Sequence, residues 1–373
     1  MKGKKIKVLV IFLLFAIYFF IAARPVPLET VLTFAWVNSL EMENFYSAAA
    51  ALPGQLFPFT LGNRFGYISS QGQFIINRTK TGNIYLGENF WTEYEDQPSN
   101  IEIKNLYDEP IINIENTRGY PILLDNRVFI LGSEQNELSE IDSNGRVLWT
   151  YEYGAPITCI DAAAGLVLTG SLDGIIEILD SYGKRIFYFE PGGSRYGIIL
   201  GCAISANGTR LAVICGIDQQ RFLFLERSGN TGGEYRTVHH EFLETGFRRP
   251  VHVSFIDEDR RVIFERAGGF SCFNIKSRRG FFIPLSGNIA AIDKSGDQGL
   301  FFLVTSDSRR HNELIGIKLP EDRNFMPYGD NDTQKMIFLK APFYSDDVFL
   351  GRIGQKLVVG GGTALISFDL ENK

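Results

Sequence analysis

Apolar residues come along this chain in short runs, separated by clusters of Gly, Asp, Asn and Ser. The pattern is plainest over Pro156–Glu190, PITCIDAAAGLVLTGSLDGIIEILDSYGKRIFYFE, which predicts four strands in order: Ile157–Ile160, Leu166–Thr169, Ile175–Leu179 and Arg185–Phe189. Asp161–Gly165, Ser171–Gly174 and Asp180–Gly183 supply turn chemistry between them. These runs are too short for amphipathic helices and are rich in β-branched residues. A four-stranded meander cannot bury both of its faces alone, so it needs copies of itself.

The chain supplies them. Ile157–Asp161, Cys202–Ser205, Val253–Asp257 and Ala290–Asp293 each read as an apolar strand ending in Asp or Ser, followed by a turn and a second apolar strand. The aligned Asp/Ser positions are 44, 52 and 36 residues apart, a spacing that suits one propeller blade. Arg64–Tyr94 threads as one further sheet and Gly119–Tyr151 as another, with Val348–Leu370 as the last. Gln97–Asn116 and Pro320–Asp332 are polar and turn-rich and read as loops between blades. The expected fold is all-β, a single β-propeller of about seven four-stranded blades over residues 59–373. Its last blade would close on Phe59–Ser69, leaving no free edge.

The first 58 residues differ. Met1–Lys7 is basic and Val8–Ala23 is an uncharged apolar run, between a signal-peptide core and a full bilayer span in length. Residues 1–23 therefore read as a transmembrane or signal-anchor helix, with cleavage after Ala23 and secretion as the alternative. Lysines before the run place the N-terminus in the cytoplasm and the body on the periplasmic or extracytoplasmic side of a single-pass membrane protein. In residues 24–58, the apolar positions Val31, Leu32, Ala35, Trp36 and Leu40 and the run Ala48–Ala51 predict a short juxtamembrane helix. It would be either a stalk or a helix folded back on the body.

Composition narrows the function. Phe is frequent, with 31 residues, so aromatic packing rests on it rather than on the three Trp. Net charge is −6, and four of the 37 basic residues (Lys2, Lys4, Lys5 and Lys7) precede every acid. The remaining 33 bases against 43 acids leave the body at −10, which argues against nucleic-acid binding. Cys159, Cys202, Cys215 and Cys272 have no CxxC spacing and fall in apolar strands, so they read as small buried thiols rather than as a disulfide or metal site.

Two segments carry a resemblance. RVFILGSEQNELSEIDSNGRVLWTY, within Asn126–Tyr151, and GLVLTGSLDGIIEILDSYGKRIFYF, within Gly165–Phe189, resemble the pyrrolo-quinoline-quinone-like propeller repeat. ISANGTRLAVIC, Ile204–Cys215, resembles the turn and strand of WD-repeat-like and lactonase-like propellers. The resemblance implies a propeller in which Gly174 and Gly183 take turns of positive φ and Asp173 and Asp180 bond their own turn backbones. Some members of that family are quinone-dependent dehydrogenases, which typically need adjacent cysteines and a tryptophan in most blades. Others are scaffolds without a cofactor, such as the outer-membrane assembly propeller. This chain has no Cys-Cys pair and only Trp36, Trp91 and Trp149. The expectation is a non-enzymatic, membrane-anchored interaction scaffold with protein partners, no cofactor and no catalytic residues. A quinone- or lactone-type enzyme or ligand sensor using the central channel is the alternative.

Candidate chemistry is sparse. His239 and His240 would point to opposite faces of a strand, so they and His252 make a poor metal site. Asp346-Asp347 and Asp257-Glu258-Asp259 read as solvated turns. The arginine doublets Arg248-Arg249, Arg260-Arg261, Arg278-Arg279 and Arg309-Arg310 all fall in the later blades. By strand order, Arg260-Arg261 and Arg278-Arg279 lie on one face of the ring, and Arg248, Arg249, Arg309 and Arg310 on the other. Paired guanidiniums suit carboxylate or phosphate recognition, so Arg248, Arg249, Arg309 and Arg310 are the expected partner-binding residues, for an acidic partner or anionic headgroups.

Overall fold

In the computed structural model the described residues are 29–41, 44–45, 56–228, 234–244, 246–293, 299–307, 310–320 and 333–372, together with Phe12, Leu13, Phe15 and Tyr18. They form eight antiparallel four-stranded sheets, the blades of a β-propeller. Blades 2 to 7 each take four consecutive strands, innermost first: residues 83–115, 119–152, 157–189, 199–242, 253–284 and 288–344. Blades 1 and 8 are completed by the N-terminal strands β1 (Thr30–Ser39) and β2 (Asn44–Phe45). The count is eight, not seven.

Blade 4 shows why the strands read as continuous apolar runs. In Leu166–Ser171, Val167 packs toward blade 3 and its neighbour Leu168 toward blade 5, so both faces of the sheet are buried. Eight clusters of buried side chains result, one at every junction between neighbouring blades. Phenylalanine fills several of them, while the junctions of blades 2 and 3 and of blades 4 and 5 are mainly aliphatic; at the junction of blades 5 and 6, Phe222 stacks on Phe264 with centroids 4.3 Å apart.

Gly174, Gly183 and Asp180 behave as the resemblance implies, whereas at the Asp173 turn it is Ser171 Oγ that accepts the backbone N–H of Ile175, at 3.2 Å. Asp180 Oδ1 accepts from the backbone N–H of Tyr182 at 2.9 Å and of Lys184 at 3.0 Å, and Gly183 has φ +74°. Asp142 in blade 3 does the same with Asn144 and Arg146, both at 2.8 Å, and these bonds hold its carboxyl below the ordinary Asp range. Each Asp replaces water on two turn amides, which fixes the hairpin locally.

Three expectations are corrected. The juxtamembrane helix is absent from 30–39, which is instead β1, the outermost strand of blade 8, paired with Ala364–Asn372 from Thr30↔Asn372 to Ser39↔Ala364. A bulge between Phe34 and Trp36 moves the apolar positions from one face of the strand to the other, and this is what imitates a helical period. Blade 8 does pack on Phe59–Ser69 as expected, with Phe59, Leu61 and Ile68 against Val358 and Leu365, and β1 adds the hydrogen-bonded closure. Trp36 Nε1 also donates to Ser70 O at 3.1 Å, and Asn38 Nδ2 to Gly72 O at 2.6 Å, both in blade 1. Nor are residues 97–116 a loop. Asn100–Asn105 and Pro110–Glu115 are the outer strands of blade 2, with Ile101 and Ile103 fully buried toward blade 3 while Glu102 and Lys104 line a surface depression. The stretch read as one sheet, 64–94, is divided between blades 1 and 2.

The Ala48–Ala51 part of the helical expectation and most of the leader lie outside the described residues. Among those described, no helix is long and apolar enough to cross a membrane.

Candidate functional site

At the junction of blades 5 and 6, two hairpins of blade 6 and an edge of blade 5 enclose a depression of about 520 Å³. Arg210, Arg260, Lys276 and Arg278 stand in it against Glu226, Glu258 and Asp259, with Ile275 beneath. The first hairpin joins Val253–Ile256 to Arg261–Arg266. Its residues Asp257, Glu258 and Asp259 all take left-handed backbone angles, φ +57°, +53° and +58°. Arg278, in the turn between the third and fourth strands of blade 6, has φ +54°. Four such non-glycine residues in one place carry strain of about 1–3 kcal/mol each, which the surroundings must hold.

The holding contacts are specific. Asp257 is 5% exposed, and its carboxylate takes Arg260 Nη2 at 2.6 Å and Arg261 Nε at 3.5 Å. Arg261 Nη2 reaches Pro320 O in blade 7 at 2.5 Å. Asp259 Oδ2 accepts from Ala206 N of blade 5 at 2.7 Å, and Arg210 Nη1 donates to Asp259 O at 3.3 Å. Glu226 bridges Arg210 (3.5 Å) and Arg278 (3.3 Å). Lys276 and Glu258 are exposed, with no ion-pair partner among the described residues. The result is a groove of mixed charge, held by ion pairs and hydrogen bonds between blades. It suits a charged peptide segment better than an apolar small molecule.

The expected partner-binding arginines lie away from this groove, and two of them already carry ion pairs. Arg249 is exposed but already engaged, with Nη2 2.6 Å from Glu265 Oε1, Nη1 3.0 Å from Oε2, and its guanidinium over Phe247. Glu265 is 1% exposed, and its hydrogen bonds push the Arg249 pKa further up. Arg310 pairs with Asp346 at 2.5 Å. Arg248 is exposed without an ion-pair partner among the described residues, and Arg309 lies outside them. Arg248 and Arg249 sit in the connection between blades 5 and 6, and Arg310 in the second hairpin of blade 7, so strand order puts them at the same end of the ring. The groove arginines lie at the other end.

The recurring Asp/Ser positions of the inner strands serve the frame. Asp161 Oδ2 accepts from Ile204 N at 2.9 Å, joining blades 4 and 5. Ser205 accepts from Arg210 N at 2.9 Å, and Asp293 meets Arg352 of blade 8 at 3.2 Å. Between the inner strands of blades 1 and 2 an open depression of about 360 Å³ is lined by Pro58, Thr60, Ile84, Tyr85 and Leu86. His239 packs on Phe273 at 4.6 Å, in the junction with blade 6, while burial lowers its pKa; His240 lies one position on, against Phe242. No group of three or more His, Cys, Asp or Glu among the described residues is arranged to hold a metal ion.

Strained, charged hairpins are not legible in sequence. The doublets Arg260-Arg261 and Arg278-Arg279 were the available signal, but DED reads as a solvated turn, whereas Asp257 is buried beneath two arginines.

The family model described as "beta-propeller protein" matches residues 1–372. The chain belongs to that β-propeller family. An uncharacterized protein of Treponema pallidum (strain Nichols) is 27% identical over 343 residues, covering 90% of each chain. Among solved structures, this propeller is similar to BamB from Moraxella catarrhalis, with a TM-score of 0.54, 13% identity, and coverage of 91% of this chain and 100% of that one. It is also similar to the computationally designed protein Ika8, with a TM-score of 0.59, 11% identity, and coverage of 85% and 95%. At such identities these two likenesses concern the fold.

Proposed function

We propose that this propeller is a non-catalytic protein–protein interaction scaffold, tethered to the membrane by its N-terminal leader and displayed outside the cytoplasm. Its partner presents a segment of mixed charge to the groove between blades 5 and 6. The observation that carries this reading is the groove itself. Backbone strain at Asp257, Glu258, Asp259 and Arg278 is held by bonds to blades 5 and 7, while Lys276 and Glu258 face outward without ion pairs. Strain held by its surroundings is a mark of sites kept for recognition. The repeat that blades 3 and 4 resemble occurs in dehydrogenases and in scaffolds, and this chain lacks the adjacent cysteines that the dehydrogenases typically need.

The test is co-purification from detergent-solubilised membranes with the tagged full-length chain, compared with Lys276→Glu/Arg278→Glu and with Arg248→Ala. A protein partner should be recovered with the wild type, be lost by at least about tenfold with the groove variant, and persist with Arg248→Ala. Undiminished recovery with the groove variant would remove the groove from the proposal. A lone species carrying a bound cofactor would remove the scaffold reading.

A further inference from the structure

Two thiols meet where blades 4 and 5 approach each other. The inner strand Ile157–Ala163 of blade 4 lies beside the inner strand Ile199–Ile204 of blade 5. Thr158 Oγ1 donates to Ile199 O at 2.5 Å, and Ile204 N donates to Asp161 Oδ2 at 2.9 Å. These two bonds bracket Cys159 on one strand and Cys202 on the other, and both side chains enter the same packed cluster. Gly170 makes the approach feasible, because a Cβ there would lie 2.7 Å from Ile199 Cβ and 2.8 Å from Cys159 Sγ. Cys202 is buried and Cys159 half-buried, and both are free thiols. The neighbouring Cys159 thiol, together with burial, raises the Cys202 pKa well above the ordinary value.

We propose that Cys159 and Cys202 form a disulfide between blades 4 and 5 when the chain meets a disulfide oxidant. This rests on the export reading only for where the oxidant is met. The more accessible Cys159, as thiolate, attacks the oxidant's disulfide, forming a mixed disulfide and releasing one thiolate. Cys202 then gives up its proton and attacks the Cys159 sulfur, closing the Cys159–Cys202 bond and releasing the second thiolate. Two protein thiols lose two electrons, and the oxidant's disulfide becomes two thiols. The raised pKa of Cys202 means that the second step speeds up as pH rises. The bond would fix the inner edge of blade 5, whose strands carry Arg210 and Glu226 to the groove.

The full-length chain in detergent is incubated with glutathione disulfide, denatured, and its thiols counted. Two of the four should be lost, with the intact mass lower by about 2 Da and a cross-linked peptide containing Cys159 and Cys202. Cys215→Ala should leave that cross-link intact and Cys159→Ala should abolish it. Four persisting thiols, or oxidation that stops at a glutathione adduct on Cys159, would overturn the pairing; both are read on the wild type, independent of any variant's folding. Protease protection in intact cells tests the compartment separately. A cytoplasmic body whose purified chain still cross-links defeats export and upholds the pairing. An exported body that keeps four free thiols even in the presence of glutathione disulfide does the reverse.

Discussion

At the scale of single residues, the molecule uses its charges mainly to join blades. Arg352 and Asp293 have side chains 0% and 2% exposed, 3.2 Å apart across the junction of blades 7 and 8. Arg352 also donates to Leu300 O at 2.7 Å and to Gly354 O at 3.1 Å. Removing one partner leaves a charge buried, so Arg352→Leu should lower stability by about 3–5 kcal/mol in urea unfolding, and Asp293→Leu/Arg352→Met should be less damaging than Arg352→Leu alone. A single-variant loss below about 1 kcal/mol would mean the pair is solvated after all. The thiols give a pH prediction. Burial pushes Cys272 up to about 12, and raises Cys215 as well. Below the unfolded thiol pKa both states are protonated and the contribution is complete. Above it the unfolded chain loses protons that the folded chain keeps, so stability falls as pH rises from about 9 toward 12. Cys272→Ala should flatten part of that fall in urea midpoints measured between pH 8 and 11; an unchanged slope would show that the thiol titrates freely.

At the scale of elements, the closing strand matters most. β1 joins the two ends of the chain, and Trp36 anchors it in the cluster shared by blades 8 and 1. Trp36→Ala should cost about 3 kcal/mol and make protease cut first in blade 8 or blade 1. Uniform cleavage around the ring would show that closure adds no local stability. The strand also shows what the sequence could and could not convey. Blades 3 to 6 were legible because both faces of their sheets are buried, giving unbroken apolar runs between Gly- and Asp-marked turns. β1 was not, because its bulge at Ala35 spaces apolar residues as a helix would. Blade 2 was not, because Asn100–Asn105 buries only Ile101 and Ile103 and alternates them with polar groups. The groove was half legible. Its arginines stood out as doublets, but the left-handed turn that presents them depends on Ala206 and Pro320, distant in sequence.

At the scale of the whole molecule, strand order orients the ring relative to its proposed anchor. Thr30, the first residue of β1, pairs with Asn372, and Leu370 N donates to Gln355 O in the first hairpin turn of blade 8. The chain thus leaves the body beside the end of the ring that carries the first hairpin of every blade, the groove of blades 5 and 6 included. Only residues 24–29 separate Ala23 from β1, a reach of at most about 20 Å even when fully extended. With the leader retained in the bilayer, that end must face the membrane, and the groove would receive a partner lying close to the membrane surface. Gln355 and Thr363 are both exposed and lie at opposite ends of the strand Lys356–Gly361, roughly 20 Å apart along it. A fluorophore on Gln355→Cys, in a Cys159→Ala background, should therefore be quenched more strongly by headgroup nitroxide lipids than the same label on Thr363→Cys. Equal quenching would describe a ring tumbling free on its tether, and stronger quenching at Thr363 would turn the groove away from the membrane and break the link between anchor and binding face.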